Sequence, residues 1–446
     1  MKLPEKGRPH DELLAEMRAL QGGDADWRHG KIFSLIYYAG DDVVELLKDA
    51  YATFLYTNGL SPAAFPSIRK FESEVLAMTA GLLGSEEAAG NMTSGGTESI
   101  LMAIKTARDW ARAQRPEVRE PEMLLPVTAH PAFEKAAHYF DVKPVHFTVD
   151  ADYRADVAAA RDALTENTIV IVGSAPCYPY GTVDPIPALA ALAQERGICC
   201  HVDACVGGFL LPFLPRLGYK VPPWDFSVPG VTSISADLHK YGYSARGAST
   251  VMYRTKELRR YQFFSYADWP GGLYGSPTMA GSRPGGAIAA AWALMRYLGE
   301  EGYTRLVGVS METTREVMDG VNAVPGLHVL GKPDASVFSF TSDTVDIFAV
   351  GDEMDKRGWH LDRQQMPPKL HMVVTFAHQG IGPQFLADLQ ESVAGIATEG
   401  PAPGGSAAMY GALGSMPDRG SVDRVIRDFL DSSTEPREDP QPAEKP

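Results

Sequence analysis

The sequence predicts an α/β protein with a large domain on a mostly parallel, doubly wound sheet and a smaller C-terminal α+β domain. Three observations predict this architecture. Strand-like and helical runs alternate in the middle of the chain, a glycine-rich turn opens a helix after Gly90, and the strand-like runs after Gly299 are short. Alternating strands and helices indicate parallel strands joined by helical crossovers. At 446 residues the chain also exceeds the size of a single core, which is ~250–300 residues.

The first 55 residues are predicted to be partly helical and to contact the active site and a partner subunit. They begin with a weak amphipathic pattern at Leu13, Leu14, Met17 and Leu20. An aromatic stretch follows at residues 30–38, and apolar residues then recur at helical spacing from Asp41 to Phe54. Phe33, Leu35, Tyr37 and Tyr38 are candidates either for an apolar entry to a site or for ordinary packing in a dimer.

Residues 56–298 are predicted to form the large domain. A turn cluster at residues 57–62 and a helix from Phe71 to Leu83 precede the alternating region. Strands are predicted at Met123–Val127, Pro144–Val149, Thr168–Val172 and Ile198–Val202, and helices at Ala132–Tyr139, Asp156–Leu164 and Ile186–Arg196. Ligands of such sheets bind at the carboxyl ends of the strands.

Residues 299–430 are predicted to form the small domain. It contains a helix over 303–320, short strands near 328–330, 336–341 and 370–375, and a helix over 382–396. Residues 431–446 are rich in Pro, Glu and Asp, which predicts a disordered tail.

Composition and charge narrow the classes of function. The net charge of −15 argues against broad nucleic-acid binding and against a basic membrane-surface patch. No run reaches the ~20 apolar residues of a membrane span, and the first residues lack the apolar core of a signal peptide. The cysteines, at positions 177, 199, 200 and 205, contain no CxxC pair and suit buried thiols in a reducing compartment. A cytoplasmic protein is expected.

Four features of the chain match what pyridoxal phosphate (PLP) requires of a protein, namely an amine, a carboxylate for the ring nitrogen, donors for the phosphate and a flat group against the ring. Lys240 follows the alternating strand pattern that starts at Ser233, where burial would lower the amine pKa and make it nucleophilic. Asp203 ends the buried run at Cys199, 37 residues before Lys240. Considered alone, Lys240 would also fit a surface loop, and Asp203 would also fit the N-cap of a helix.

The remaining donors come from a glycine turn and from the strand beside Lys240. Gly95, Gly96 and Thr97 open a helix, whose N–H groups and dipole suit a phosphate, although such a turn can be purely structural. Further candidates are Ser235 and His239 as donors and His130 as the group stacked on the ring. His130, Glu134 and His138 also have helix-face spacing for a metal, but Pro131 places His130 at the helix entry, so no metal is expected.

These residues bring the chain close to a known family: it resembles the sphingosine-1-phosphate lyases, within the PLP-dependent decarboxylase-like proteins of fold type I. The resemblance covers roughly Gly30 to Leu430 but not the membrane span of the eukaryotic members. Its most specific motif is Tyr-Gly-Ser-Pro…Gly-Ser-Arg-Pro-Gly within residues 269–285. Other matching stretches are residues 30–31, 91–99, 129–137, 173–181, 201–208 and 233–242.

The resemblance implies a homodimer with both active sites at the subunit interface. It implies that Lys240 binds PLP covalently, that Asp203 contacts the pyridine nitrogen and that His130 stacks on the ring. It also implies that Tyr37, Asn58, Tyr178 and Ser282 line the site. The expected reaction cleaves the C2–C3 bond of a phosphorylated long-chain base by retro-aldol chemistry, giving a fatty aldehyde and phosphoethanolamine. Tyr178 or Lys240 would carry the proton.

Two positions depart from the family pattern at the residues associated with the substrate phosphate. Residues 58–62 read Asn-Gly-Leu-Ser-Pro, where the pattern has Asn-Pro-Leu-His-Pro, so Ser61 replaces a histidine. Arg246 replaces the lysine expected six residues after Lys240. Arginine keeps the charge and can bind phosphate through two hydrogen bonds, whereas serine keeps one donor and no charge. Altered phosphate recognition is therefore expected.

Three other functions fit parts of this pattern. An amino-acid decarboxylase would use Lys240, Asp203 and His130 equally well, and so would a lyase of a related amino alcohol. The motif at residues 269–285 argues against the decarboxylase. A PLP- or lipid-binding protein without turnover is favoured by Ser61 alone, and the intact Lys240 and Asp203 argue against it.

Overall fold

The computed structural model describes residues 2–400, Tyr410 and residues 416–435. The helices are α1 His10–Gln21, α2 Asp41–Thr53, α3 Pro66–Leu82, α4 Gly96–Gln114, α5 Ala132–Phe140, α6 Val157–Ala163, α7 Ile186–Arg196, α8 Lys256–Arg259, α9 Gly285–Ala323, α10 Ile347–Lys356, α11 Gly382–Glu399 and α12 Arg419–Ser433. The strands are β1 Ala89–Thr93, β2 Glu122–Pro126, β3 Lys143–Phe147, β4 Thr168–Ser174, β5 Cys199–Asp203, β6 Ser233–Ala236, β7 Ser249–Tyr253, β8 Phe264–Tyr266, β9 Tyr274–Ser276, β10 Leu327–Val329, β11 Val337–Ser342, β12 Asp362–Gln364 and β13 Lys369–Val373.

Within these residues, a seven-stranded sheet has the order β1-β7-β6-β5-β4-β2-β3. The pairs from β6 to β3 are parallel, and β7 runs antiparallel to both β6 and β1. Helices pack against this sheet, so β4 and β5 are buried along their whole length, as their unbroken apolar runs predict. The prediction of a mostly parallel α/β sheet is confirmed.

A second sheet of four antiparallel strands, β10-β11-β13-β12, belongs to the C-terminal part of the described chain. Its core includes Phe338, Phe340, Met372 and Phe385. Three of its strands and α11 agree with the sequence pattern, whereas β12 and α10 were not predicted. Strand β12 has three half-buried residues, too few for a readable alternation.

The long helix α9 is interrupted at Gly299, whose φ of 55° and ψ of −173° are not helical. Its first half packs with the large sheet's core and its second half reaches the small sheet. The interruption coincides with the predicted boundary at residue 299, and the division of the chain into domains stays a prediction. Helix α12 continues to Ser433, into the predicted tail; residues 436–446 lie outside the described residues.

Residues 30–40, here called the strap, connect the two sheets. Phe33 is buried in the small-sheet core, with its N–H donating to the His360 carbonyl and its carbonyl accepting from the Val373 N–H. Tyr37 packs edge-on against Tyr241, which belongs to the core of the large sheet, with 5.2 Å between ring centroids. Leu35, between these anchors, has a φ of 62° and is 71 % exposed. None of the helices in the described residues is long and apolar enough to cross a membrane.

Candidate active site

The carboxyl ends of the central strands open into a cavity of about 520 Å³. The chain brings together there most of the residues singled out in its sequence. The predicted residues that line the cavity are Tyr37, Gly95, Gly96, Thr97, His130, Tyr178, Asp203, His239, Lys240 and Arg246. The predicted position of the ligand at the strand ends therefore agrees with the cavity.

The glycine turn forms one wall of this cavity, between the end of β1 and the start of α4. Its first N–H groups have no partners within the helix and lie at the positive end of the helix dipole. A Cβ at Gly96 would lie 2.7 Å from both Asp237 Oδ2 and Cys205 Sγ, so only glycine fits. Glu98 Oε2 accepts a hydrogen bond from the Ser94 N–H at 2.7 Å and fixes the turn.

Asp203 stands at the end of β5, as predicted, and is almost fully buried. Its Oδ1 accepts hydrogen bonds from the Cys205 N–H at 3.0 Å and from the Ser235 hydroxyl at 3.3 Å. Ser235, on the neighbouring strand β6, therefore orients Asp203, and its own side chain does not line the cavity. Behind it, burial lowers the pKa of His201 to about 4, so this ring is neutral near pH 7.

Lys240 lies in the turn after β6, which ends at Ala236 and not, as expected, at His239-Lys240. The amine is 3.0 Å from Asp237 Oδ2, and the Asp237 carboxylate is itself buried. Burial acts to lower the pKa of Lys240, but the Asp237 carboxylate outweighs it and the pKa is raised. The expectation of a lowered amine pKa is thus wrong for this arrangement, because the sequence argument omitted Asp237.

Two histidines complete the walls around Lys240. The Nδ1 of His130, just before α5, accepts a hydrogen bond from the Ala132 N–H at 3.1 Å, which fixes the ring. The Nδ1 of His239 similarly accepts from the Ala248 N–H at 3.3 Å. Burial lowers the pKa of both side chains. Among the described residues no group of three or more metal-ligating side chains is present.

The opposite side of the cavity carries two tyrosines and an arginine. The Tyr178 hydroxyl donates to Asp362 Oδ2 at 3.0 Å, and burial together with this carboxylate raises the pKa of Tyr178. Burial raises the pKa of Tyr37 to about 12. The guanidinium of Arg246 lies 5.7 Å from the Tyr37 ring centroid. Both phenols are therefore neutral near pH 7, and Arg246 provides a positive charge.

Besides Ser235, three predicted site residues do not line this cavity. Asn58 Nδ2 donates to the Ser282 hydroxyl at 3.0 Å, and Asn58 Oδ1 accepts from the Arg283 N–H at 3.0 Å. Ser282 lines a separate crevice of about 40 Å³, which shares Ser94 and Glu98 with the main cavity. Ser61 is exposed on the turn before α3. Their roles in the site stay predictions.

The sequence argument missed Asp237, Glu98 and Asp362. Asp237 had a readable signal, since it alternates with Ser235 and His239 on the predicted strand face. Glu98 follows the glycine turn, and its Oε1 accepts from the Met279 N–H at 2.9 Å, which joins the turn to the distinctive stretch at residues 269–285. Asp362 comes from the small sheet, 184 positions after Tyr178, and had no local signal.

The residues present fit PLP. The cradle at Gly96 admits no side chain. It lies at the start of α4, where the first N–H groups lack partners within the helix and suit a phosphate. An oriented carboxylate, Asp203, and a lysine amine line the same cavity. These are the donor types that the cofactor requires.

Comparisons with known proteins agree with this chemistry. Residues 1–342 match the pyridoxal-dependent decarboxylase conserved domain. A sphingosine-1-phosphate lyase of Arabidopsis thaliana is 48% identical over 440 residues, which span 96% of this chain and 80% of that protein. A probable L-aspartate decarboxylase of Pyrococcus furiosus is 35% identical over 80% of this chain and 94% of its own length.

The solved structure of a sphingosine-1-phosphate lyase from Burkholderia pseudomallei K96243 is similar along the whole chain. It superposes with a TM-score of 0.90 at 39% identity and covers 98% of both chains. The chain therefore belongs to the pyridoxal-dependent decarboxylase family and, within it, to the sphingosine-1-phosphate lyases.

Proposed function

We propose that this protein is a PLP-dependent aldehyde-lyase. It cleaves the C2–C3 bond of a phosphorylated long-chain base such as sphingosine 1-phosphate, releasing a fatty aldehyde and phosphoethanolamine. The observation that carries the proposal is a single cavity containing the amine of Lys240, the carboxylate of Asp203 and the guanidinium of Arg246. The similarity to sphingosine-1-phosphate lyases supports the choice of substrate.

Four groups of residues would hold the cofactor. Lys240 would bind its aldehyde carbon, Asp203 its pyridine nitrogen, and the turn at residues 95–97 its phosphate, with His239 and Ser282 as further donors. His130 would lie against the ring. When bound, PLP supplies a sink for the electron pair left on C2 of the substrate.

The chain's own side chains prepare the reaction by fixing charge. Two hydrogen bonds to Asp203 Oδ1 orient its carboxylate, which would stabilise a protonated ring nitrogen of the cofactor. Asp237 holds Lys240 as an ammonium ion. Tyr178 faces the cavity with a neutral phenol, available for the proton of the C3 hydroxyl.

Recognition of the substrate phosphate is assigned to Arg246. Its side chain is exposed where it lines the cavity, and a guanidinium binds phosphate through paired hydrogen bonds. Ser61, the other departure from the family pattern, is proposed as a secondary donor, with Tyr37 and Asn58 completing the substrate site.

We also propose that the protein is a homodimer with both active sites at the subunit interface, and that it is cytoplasmic. Exposed apolar side chains cluster on the β8–β9 hairpin and its flanks, which is typical of an interface. These residues are Phe264, Tyr266, Trp269, Leu273 and Met279. Four buried, unpaired cysteines support a reducing compartment.

A second candidate, an amino-acid decarboxylase, is favoured by one observation: the 35% identity to a probable L-aspartate decarboxylase. It would use the same cofactor residues but would release carbon dioxide from an amino acid. A lyase of a related amino alcohol remains within the first proposal's chemistry.

The test is a product assay on protein loaded with PLP, given sphingosine 1-phosphate or unphosphorylated sphinganine. Fatty aldehyde from the phosphorylated substrate alone is expected. The Arg246→Ala variant should raise KM for that substrate about 10- to 100-fold, because a hydrogen bond to a charged group contributes ~1.5–3 kcal/mol. Arg246→Lys serves as the matched control and should retain part of the affinity. An unchanged KM in Arg246→Ala would place the phosphate elsewhere.

A further inference from the structure

A hydrogen bond joins the active-site cavity to the small sheet. Tyr178, in the loop after β4, lines the cavity, and its hydroxyl donates to Oδ2 of Asp362, the first residue of β12, at 3.0 Å. The side chain of Asp362 is 39% exposed. Because the phenolic hydrogen is directed at Asp362, the oxygen of Tyr178 can meet a substrate hydroxyl only as an acceptor.

His371 fixes this pair in place. It lies opposite Asp362 in the β12–β13 register and is fully buried. Its Nε2 donates to the Tyr178 carbonyl at 2.8 Å, and its ring contacts the Tyr178 ring at 4.3 Å between centroids. Its Nδ1, 4.0 Å from Asp362 Oδ2, has no hydrogen-bond partner among the described residues. A neutral ring protonated on Nε2 thus holds Tyr178 without competing for the Asp362 carboxylate.

We propose that Tyr178 and Asp362 form a proton relay for the cleavage step. The inference rests on the proposed lyase function. Tyr178 takes the proton of the C3 hydroxyl and passes its own phenolic proton to Asp362. The C3–O bond becomes a carbonyl as the C2–C3 bond breaks, and bound PLP would supply the sink for the electron pair of that bond. Tyr178 ends neutral, and Asp362 ends as a carboxylic acid.

The surrounding charges favour this route over the alternatives. Tyr178 has a raised pKa, so it does not act as a free phenolate and needs an acceptor for its own proton. Lys240 is assigned to the aldehyde carbon of PLP, and where its amine is free Asp237 lies 3.0 Å away and holds it as an ammonium ion. Other titratable groups near the pair are Tyr37, Tyr241 and His371, all neutral near pH 7. Asp362 is therefore the proton acceptor that the geometry provides.

The test compares Asp362→Asn, Asp362→Glu, Tyr178→Phe and the double variant Tyr178→Phe/Asp362→Asn as PLP-loaded enzymes with sphingosine 1-phosphate. Asparagine can still accept the Tyr178 hydrogen bond but cannot take its proton. Asp362→Asn should therefore lower kcat about 10²- to 10³-fold, with little change in KM, PLP absorbance or thermal unfolding midpoint. Asp362→Glu should recover part of kcat. Asp343→Asn, an exposed aspartate of the same sheet region, is the matched control.

Two further readouts separate a relay from a structural contact. The double variant should be no slower than Tyr178→Phe alone, because both changes break one pathway. In mixtures of H₂O and D₂O, kcat of the wild type should depend on the deuterium fraction along a curve, as expected for two protons in transfer, and this curvature should be lost in Asp362→Asn.

The proposal is overturned by a wild-type kcat in Asp362→Asn, by losses that multiply in the double variant, or by loss of PLP absorbance together with activity. If wild-type protein forms no aldehyde, the proposed function fails and the relay with it. A wild type that forms aldehyde beside an equally active Asp362→Asn contradicts the relay alone.

Discussion

At the scale of single residues, the amine of Lys240 lies 3.0 Å from the carboxylate of Asp237, and both side chains line the same cavity. The buried carboxylate of Asp237 would be strongly destabilising without a cation, and Lys240 provides one. The ammonium form that pairs with Asp237 is not nucleophilic. Binding of a phosphorylated aldehyde next to the glycine turn would change this balance. Lys240 is therefore the residue whose covalent bond to PLP tests the site assignment.

Replacing Lys240 with Ala should abolish the absorbance band of lysine-bound PLP in the purified protein, because no other described lysine lines the cavity. The absorbance spectrum measured after incubation with PLP checks this. Lys48→Ala, which removes an exposed amine paired with Glu45, should leave the band intact. A Lys240→Ala protein that keeps the band would show that another amine holds the cofactor.

Residues that end a buried strand could be predicted from sequence, and contacts between the two sheets could not. Asp203 follows a short apolar run, and Lys240 follows an alternating one. Asp362 reaches Tyr178 from 184 positions away, so no local pattern relates them. The charge state of Lys240 could not be predicted either, because its pKa depends on the contact with Asp237 as well as on burial.

At the scale of elements, helix α4 depends on glycine at its first position. A Cβ at Gly96 would meet Asp237 and Cys205 at 2.7 Å, so Gly96→Ala should displace the turn. We expect PLP binding to weaken about 10-fold or more, as one charge-assisted hydrogen bond to phosphate is lost. Titration of the apoprotein with PLP measures this.

The matched control is Gly81→Ala in α3, where an added Cβ meets nothing within 4 Å. That change should leave PLP affinity unchanged and raise the free energy of unfolding by about 0.5–1 kcal/mol, since alanine has the higher helix propensity. Equal PLP affinity in Gly96→Ala and wild type would remove the glycine turn from the cofactor site.

His378, which binds the strap through the Ile32 carbonyl, should make the stability of the protein depend on pH. His378 Nε2 donates to the Ile32 carbonyl at 2.9 Å, and its Nδ1 accepts from the Thr375 N–H at 2.9 Å. Burial lowers the pKa of His378 to about 4. Its contribution to stability is therefore complete above the unfolded pKa of ~6.5 and is lost as the pH falls toward the folded value.

Between pH 7 and pH 5, His378 should account for about 2 kcal/mol of lost stability. Denaturant unfolding at the two pH values should show a correspondingly smaller loss in His378→Asn. The control is His29→Asn, which changes an exposed ring paired with Asp26. An identical pH dependence in His378→Asn and wild type would contradict the assignment.

Most elements of the large sheet could be predicted, because their apolar runs are long and regularly separated by helices. The antiparallel insertion of β7 could not, since strand direction is set by pairing with β1 and β6 and not by the residues of β7. The short strand β12 was not predicted, because its three half-buried residues show no alternation of apolar and polar side chains. The sequence pattern thus defined the class of fold but predicted neither β7 nor the edge strand β1.

At the scale of the whole molecule, the exposed apolar side chains of the β8–β9 hairpin predict the homodimer. Leu273, in the loop that joins the two strands, is 88% exposed. Leu273→Asp should shift the protein from twice the mass of one chain toward a single chain, because a buried unpaired charge opposes association. Light scattering after size-exclusion chromatography measures the mass.

Tyr139→Asp, at an exposed aromatic outside the hairpin, is the control and should leave the mass unchanged. A wild-type protein that is monomeric at micromolar concentration, or a Leu273→Asp protein that keeps the wild-type mass, would count against the hairpin as the interface.

The most direct test of the central claim is the stoichiometry of products formed from sphingosine 1-phosphate by the PLP-loaded protein. The account predicts fatty aldehyde and phosphoethanolamine in equal amounts, matching the substrate consumed, and neither product from Lys240→Ala. Absence of both products from the wild type, together with carbon dioxide release from an amino acid, would contradict the lyase and identify the protein as a decarboxylase.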